Sequence, residues 1–167
     1  AILAVEAKVE SLDMLRNRLK KNLKFAACNS GAKCKLALSL GAIYYNPEKP
    51  KPMYDDKDIG AAIASGSFRT RGMVIAPCSI KTASSVAYCQ SDSLIARAAD
   101  VTLKEGRPLI LLVRETPLHL GHLRCMVALA EMGAVVLPPV PAFYHRPKTL
   151  DDVVNHTLAR VLDRLDL

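Results

Sequence analysis

Residues 72–88 read GMVIAPCSIKTASSVAY, and this stretch decides which class of fold to expect. The apolar run from Gly72 through Ile75 ends at Pro77, opens into Cys78-Ser79-Ile80-Lys81-Thr82, and continues as a helix over Ala83–Tyr88. A strand covered on both faces reads as a continuous apolar run, whereas a half-exposed strand alternates. Proline ends such a strand because it has no N–H to give to the ladder. A strand that turns directly into a helix puts hydroxyls and unpaired amides at its carboxyl end.

The same rhythm repeats downstream. Ser93–Leu103 is helical, Pro108–Val113 is a second buried strand, and Leu118–Met132 is a helix closed by Gly133. Ala134–Leu137 is a third strand, ended by Pro138-Pro139. Leu150–Leu165 is an amphipathic helix with Thr149 as its cap and Asp151 and Asp152 in the first turn, where they suit the helix dipole. Continuous apolar strands alternating with helices predict an α/β protein: a three-layer parallel sheet with helices on both faces. Upstream, Leu12, Leu15, Leu19 and Leu23 share a helical face, Leu23–Cys28 is a short strand, and residues 32–40 form a second helix. Pro47, Pro50 and Pro52 make residues 45–52 a loop. With 167 residues, one domain spanning 1–167 is expected.

Composition narrows the function classes. The net charge of +7 is uneven, with 11 Lys/Arg against 6 Asp/Glu in residues 1–57 and 12 against 10 in residues 58–167. Trp is absent and no stacking motif or helix-turn-helix is visible, so the basic residues 16–35 read as a solvated face and no nucleic-acid partner is expected. The five cysteines are scattered without a C-x-x-C pair, which suits reduced thiols and a cytoplasmic location. No apolar run is long enough to span a bilayer. His119 and His122 stand three apart on a helix but no third ligand follows at suitable spacing, so no metal is expected. Cys78 has no neighbouring histidine and reads as a small packed residue.

In parallel α/β sheets, ligands bind beyond the carboxyl ends of the strands. The first strand-end loop, Pro77–Thr82, is a seat for an anion or a polar ring edge, although Ser79 and Thr82 are equally ordinary helix caps. The second carries Arg114-Glu115 at the end of a buried strand, where charges are costly unless they are paired or bind a ligand. The third, Pro138–Pro147, holds Tyr144 and Arg146 on a stiff support. Ser65-Gly66-Ser67 reads as a helix end, Lys104 lies near the end of its helix, and Arg160 on the inner half of the last. Lysine and arginine together suit a phosphate. Their convergence on one edge is an expectation that spacing does not establish.

Three stretches, DIGAAIASGSFRTRGMVIAPCSIKT (58–82), ARAADVTLKEGRPLILLVRETPLHLGHL (96–123) and MGAVVLPPVPAFYHRPKTLDDVVNHTLARVLD (132–163), closely resemble the UbiX-type flavin prenyltransferases, formerly described as aromatic acid decarboxylases. The resemblance covers residues 58–167. It implies a Rossmann-like, flavodoxin-like subunit in a homo-oligomer, usually a dodecamer, with flavin at subunit interfaces. The implied reaction is metal-independent transfer of a dimethylallyl group from dimethylallyl phosphate to reduced FMN. The prenylated FMN would then pass to a UbiD-type decarboxylase, as in ubiquinone or aromatic acid metabolism.

By position, the resemblance makes Ser79, Ile80, Lys81, Thr82 and Arg114 flavin contacts, with Ser30 as a further one. It places Ser65, Gly66, Ser67, Arg97, Lys104, Tyr144 and Arg160 around the donor phosphate, and makes Glu115 and Lys104 catalytic. Residues 1–57 depart from the pattern. Where the family keeps a Gly-x-Ser-Gly-type loop after a first strand (here Ile2–Val5), this chain has Glu6-Ala7-Lys8-Val9-Glu10-Ser11, and Gly41 falls where an acidic residue is expected. Either the chain lacks its true beginning, or the segment is altered, or this copy binds flavin poorly. Two other readings stay open: an FMN-dependent decarboxylase of the related cysteine-decarboxylase group, and a non-catalytic flavin-binding oligomer.

Overall fold

The computed structural model describes residues 53–166, together with the backbone strands β1 (Ile2–Leu3) and β2 (Ala26–Cys28). The expected helices at 12–23 and 32–40, the loop at 45–52, the basic face, Ser30 and Gly41 lie outside the described residues. Next come β3 (Met53–Asp55), a 3-10 turn (Ala62–Ala64), β4 (Met73–Cys78), α1 (Ile80–Ala87) and α2 (Leu94–Lys104). They are followed by β5 (Leu109–Val113), α3 (Leu120–Glu131), β6 (Val135–Val136) and α4 (Leu150–Asp163).

β4, β5 and β6 form the expected parallel sheet, with Val74 opposite Ile110 and Ile110 opposite Val135. β1 adds to the free edge of β4 in the antiparallel sense, with Ile2 opposite Ile75, so the sheet is mixed at that edge. An antiparallel edge strand on an otherwise parallel sheet satisfies the same exposed ladder groups. β2 and β3 form a separate parallel pair.

The period of two in the strands divides the core between the two faces. Met73, Ile75, Leu109, Leu111 and Val113 pack with residues of α1, α2 and α3, including Val86, Leu94 and Leu129. Val74, Ile110 and Leu112 pack on Val161, Leu162 and Leu165 at the end of α4. This is the predicted three-layer arrangement. Each fully buried Leu or Ile contributes roughly 1.5–3 kcal/mol.

The strand starts are fixed as firmly. Met73 N–H donates to Pro108 O at 2.8 Å. A Cβ on Gly72 would sit 2.7 Å from that same carbonyl oxygen, so the two strands can approach here only because residue 72 is glycine. The Arg71 guanidinium donates to Leu165 O at 2.9 Å and Asp166 O at 2.8 Å, tying the chain's last turn to the start of β4. Gly133 takes φ 89° to close α3, as its position in the sequence predicts.

Candidate functional site

The turn after β4 combines both of its sequence readings. Ser79 caps α1: its Oγ accepts from Thr82 N–H at 3.2 Å and lies 3.0 Å from Thr82 Oγ1. The first amides of a helix have no intrahelical acceptor, which leaves those of Ile80 and Lys81 without a partner inside α1. Arg114 is held beside this turn by its backbone N–H, which donates to Cys78 O at 3.0 Å, while its side chain stays exposed. Together Ile75, Pro77, Ser79, Thr82, Ile95 and Arg114 line a cleft of about 370 Å³. Its apolar wall and polar rim fit a flat aromatic ring with hydrogen-bonding edges.

Arg114 and Glu115 form no ion pair with each other or with any described residue. Glu115 Oε1 instead accepts from Thr116 N–H at 3.2 Å. Among the described residues, two charged groups at the end of a wholly buried strand therefore stand without a counter-charge. Cys78, in the same cleft, is fully buried. Burial first, and the neighbouring Cys125 second, push its thiol up to about 12. A neutral thiol makes a poor nucleophile, in keeping with a packing role.

A second cleft, of about 380 Å³, gathers Ala62, Ser65, Gly66, Arg97 and Lys104 from separate parts of the chain. The residues 65–67 turn follows the 3-10 segment, as expected for a helix end, with Ser65 Oγ 2.8 Å from Ser67 Oγ. Arg107 holds this turn in place, donating to Gly66 O at 2.7 Å and Phe68 O at 2.8 Å. Arg97 pairs with Asp100 at 3.2 Å and Lys104 lies 4.0 Å from Glu105, both on the surface, where such pairs are weak.

Lys104 does not lie at the carboxyl edge of the sheet. It ends α2 only a few residues before Pro108, whose carbonyl pairs with the first residue of β4. A helix feeding a parallel strand must finish at that strand's amino end, so Lys104 and the residues 65–68 turn sit toward the amino edge. Arg97 is two turns higher on α2, about 10 Å along the helix axis.

Tyr144 and Arg160 occupy a third region, beyond β6. Val136, Pro138, His156, Thr157 and Arg160 help line a cleft of about 260 Å³ there. Arg160 is not on the inner half of α4, which buries Val161 and Leu162. Its side chain is 54% exposed and bonds Asp163 at 2.9 Å. The expected donor-binding set is thus split within one chain: Ser65, Gly66, Arg97 and Lys104 meet, while Tyr144 and Arg160 lie elsewhere.

Sequence reasoning missed Arg107, His145 and His156. Arg107 reaches back to Gly66 and Phe68 across a gap that no local pattern marks. His156 reaches the Tyr144 hydroxyl at 3.2 Å across the loop between β6 and α4. The His119 and His122 rings lie with centroids 3.5 Å apart, tilted by 35°, and no third metal-ligating side chain joins them among the described residues.

Comparison with known proteins places these clefts in a wider context. The profile of the flavoprotein family matches residues 7–162. The flavin prenyltransferase UbiX of Escherichia coli K12 is 66% identical over 111 residues, covering 66% of this chain and 59% of that protein. The UbiX of Archaeoglobus fulgidus is 61% identical over 112 residues, covering 67% and 62% respectively. The chain therefore spans about three fifths of the length of these curated relatives. Among solved structures, AnUbiX (PadA1) in complex with FMN and dimethylallyl pyrophosphate superposes with a TM-score of 0.78 at 33% identity, covering 95% of this chain and 88% of that one. A dodecameric FMN-dependent UbiX-like decarboxylase from Escherichia coli O157:H7 gives a TM-score of 0.75 at 42% identity, covering 86% and 79%.

Proposed function

This chain belongs to the flavoprotein family, and from that premise we propose that it is a metal-independent flavin prenyltransferase joining the dimethylallyl group of dimethylallyl phosphate to reduced FMN. The observation that carries the reading is the convergence of Ser65, Gly66, Arg97 and Lys104 on one cleft. A hydroxyl, a glycine backbone and two cations from distant stretches suit a phosphate. The β4 cleft would take the flavin ring, with Ser79, Thr82, Arg114 and the amides of Ile80 and Lys81 at its polar edges. When bound, the flavin supplies the nucleophile.

The chain's own residues would handle the charge. Breaking the allylic C–O bond leaves both electrons on the departing phosphate, and fixed cations stabilise that charge where it develops. Removing one such donor costs about 3–4 kcal/mol. Glu115, with no counter-charge among the described residues, is suited to move a proton at the flavin.

Splitting the cations over separate clefts points to a site completed by neighbouring copies. Tyr144 and Arg160 of one copy would close the donor cleft of another in a homo-oligomer, the dodecamer being the expected size. In support, α3 exposes an apolar stripe of Leu120 (60%), Leu123 (46%) and Val127 (56%) that assembly would cover. The downstream user would be a UbiD-type decarboxylase in the cytoplasm. No described helix is long and apolar enough to cross a membrane.

A decarboxylase reading is favoured by the likeness to the FMN-dependent UbiX-like decarboxylase of Escherichia coli O157:H7. One experiment separates the two. After anaerobic incubation with reduced FMN and dimethylallyl phosphate, the extracted flavin should gain a five-carbon unit by mass. Flavin retained unchanged would indicate a carrier or decarboxylase, and no retained flavin would defeat the flavin assignment altogether.

A further inference from the structure

Tyr144 is the least supported member of the proposed donor site, being 82% exposed on the proline-rich loop that precedes α4. What holds its phenol is a pair of histidines. Tyr144 Oη lies 3.2 Å from His156 Nε2, and the two rings meet edge to face with centroids 5.9 Å apart at 86°. His145 stacks on His156 at 4.6 Å and 11°, and meets the Tyr144 ring edge-on at 5.5 Å. The three rings thus close on one another, two from the loop and one from the helix. His156 also lines the same cleft as Arg160, one helical turn further along α4.

We propose that His156 is a positioning residue that aims the Tyr144 hydroxyl at the phosphate of the prenyl donor. The proposal rests on the prenyltransferase reading given above. A phenol has one proton to donate. If Nε2 of His156 accepts that proton, none is left for an anion. If Nε2 carries its own hydrogen and donates to the phenol oxygen, the phenolic proton is free to point at phosphate. An anionic ligand therefore selects the Nε2–H form, and the chain Nε2–H···Oη–H···O–P strengthens along its length. The stack with His145 fixes the plane of the imidazole and with it the direction of that bond. A purely structural contact would need only the ring face, and the phenol has no other hydrogen-bond partner among the described residues.

The test uses the flavin-loaded oligomer and dimethylallyl phosphate as titrant, with Tyr144→Phe, His156→Phe, His156→Gln and the Tyr144→Phe/His156→Phe double variant. Both single phenylalanine variants should weaken donor affinity about tenfold, and the double variant should be no weaker than either. His156→Gln, which keeps a polar group near the Nε2 position, should recover most of the loss, and FMN affinity should be unchanged throughout. His156→Phe binding donor as tightly as the parent, or additive losses in the double variant, would overturn the proposal. Imidazole 15N resonances provide a readout independent of the donor: Tyr144→Phe should shift the His156 Nε2 signal, and no shift means no bond, which also overturns it. If the signal shifts but Tyr144→Phe leaves donor affinity intact, the hydrogen bond stands. Tyr144 is then outside the donor site, which overturns the positioning role through its premise.

Discussion

The cleft at the carboxyl end of β4 and the cleft beside α2 are nearly equal in size, about 370 and 380 Å³, yet their walls differ in kind. The first is walled by Ile75, Pro77 and Ile95, with hydroxyls and a single arginine at its rim. The second is built from small residues and carries two cations, Arg97 and Lys104. An apolar slot with a polar edge suits a ring, whereas small residues around fixed charge suit an anion. On the proposed function, flavin would take the first and the donor phosphate the second, and each substitution below is chosen to break or sharpen that division.

The largest effect is expected at Lys104. Lys104→Gln should lower kcat/KM for dimethylallyl phosphate by roughly 10²–10³ at unchanged FMN affinity, as befits loss of a donor to developing charge. Steady-state kinetics alongside a flavin titration would check this. Arg107 comes next, because it is mostly buried, with 18% of its side chain exposed, and holds two backbone carbonyls of the residues 65–68 turn. Arg107→Gln should cost about 2 kcal/mol in denaturant unfolding and raise the donor KM while leaving flavin binding intact.

Ser79 sharpens the other side of the comparison. Ser79→Ala removes a helix cap and should cost about 1 kcal/mol, while Ser79→Gly should cost only a few tenths. If the hydroxyl also contacts flavin, both variants lose FMN affinity equally despite that difference in stability.

Cys78 lies in the flavin-side cleft and is distinguished by the pH dependence of its effect. Burial raises its thiol from 9.0 to about 12, so the folded state favours the protonated form. That contribution is complete below pH 9 and is lost as pH rises from about 9 toward 12. Cys78→Ala should flatten the alkaline fall in thermal stability, and in the parent the exposed Cys89 should be alkylated well before Cys78.

Much of this architecture is legible in the sequence because it is local. Apolar runs such as Leu109–Val113, the Thr149 cap and the Gly133 stop are each decided within a few residues, and the structure places them as read. The Thr149 and Asp152 side chains even form a reciprocal capping box. The antiparallel pairing of β1 is a different matter, since nothing within Ile2–Leu3 specifies which sense the edge of β4 will accept. The site is less legible for the same reason. Ser79 and Arg114 are readable because they end strands, but Arg107 and His156 act on residues far from their own surroundings in sequence. The edge occupied by Lys104 was in fact readable: a helix that ends just before a parallel strand ends at that strand's amino side. Arg160 misleads because its helix buries the next two residues, Val161 and Leu162, and carries Arg160 outward.

The division between the two clefts is tested most directly by titrating FMN and dimethylallyl phosphate separately into Arg114→Gln and Lys104→Gln oligomers. Arg114→Gln should weaken FMN binding, while Lys104→Gln should bind FMN as the parent does and lose affinity for the donor. Loss of FMN on changing Lys104, with Arg114→Gln affecting only the donor, would contradict the assignment.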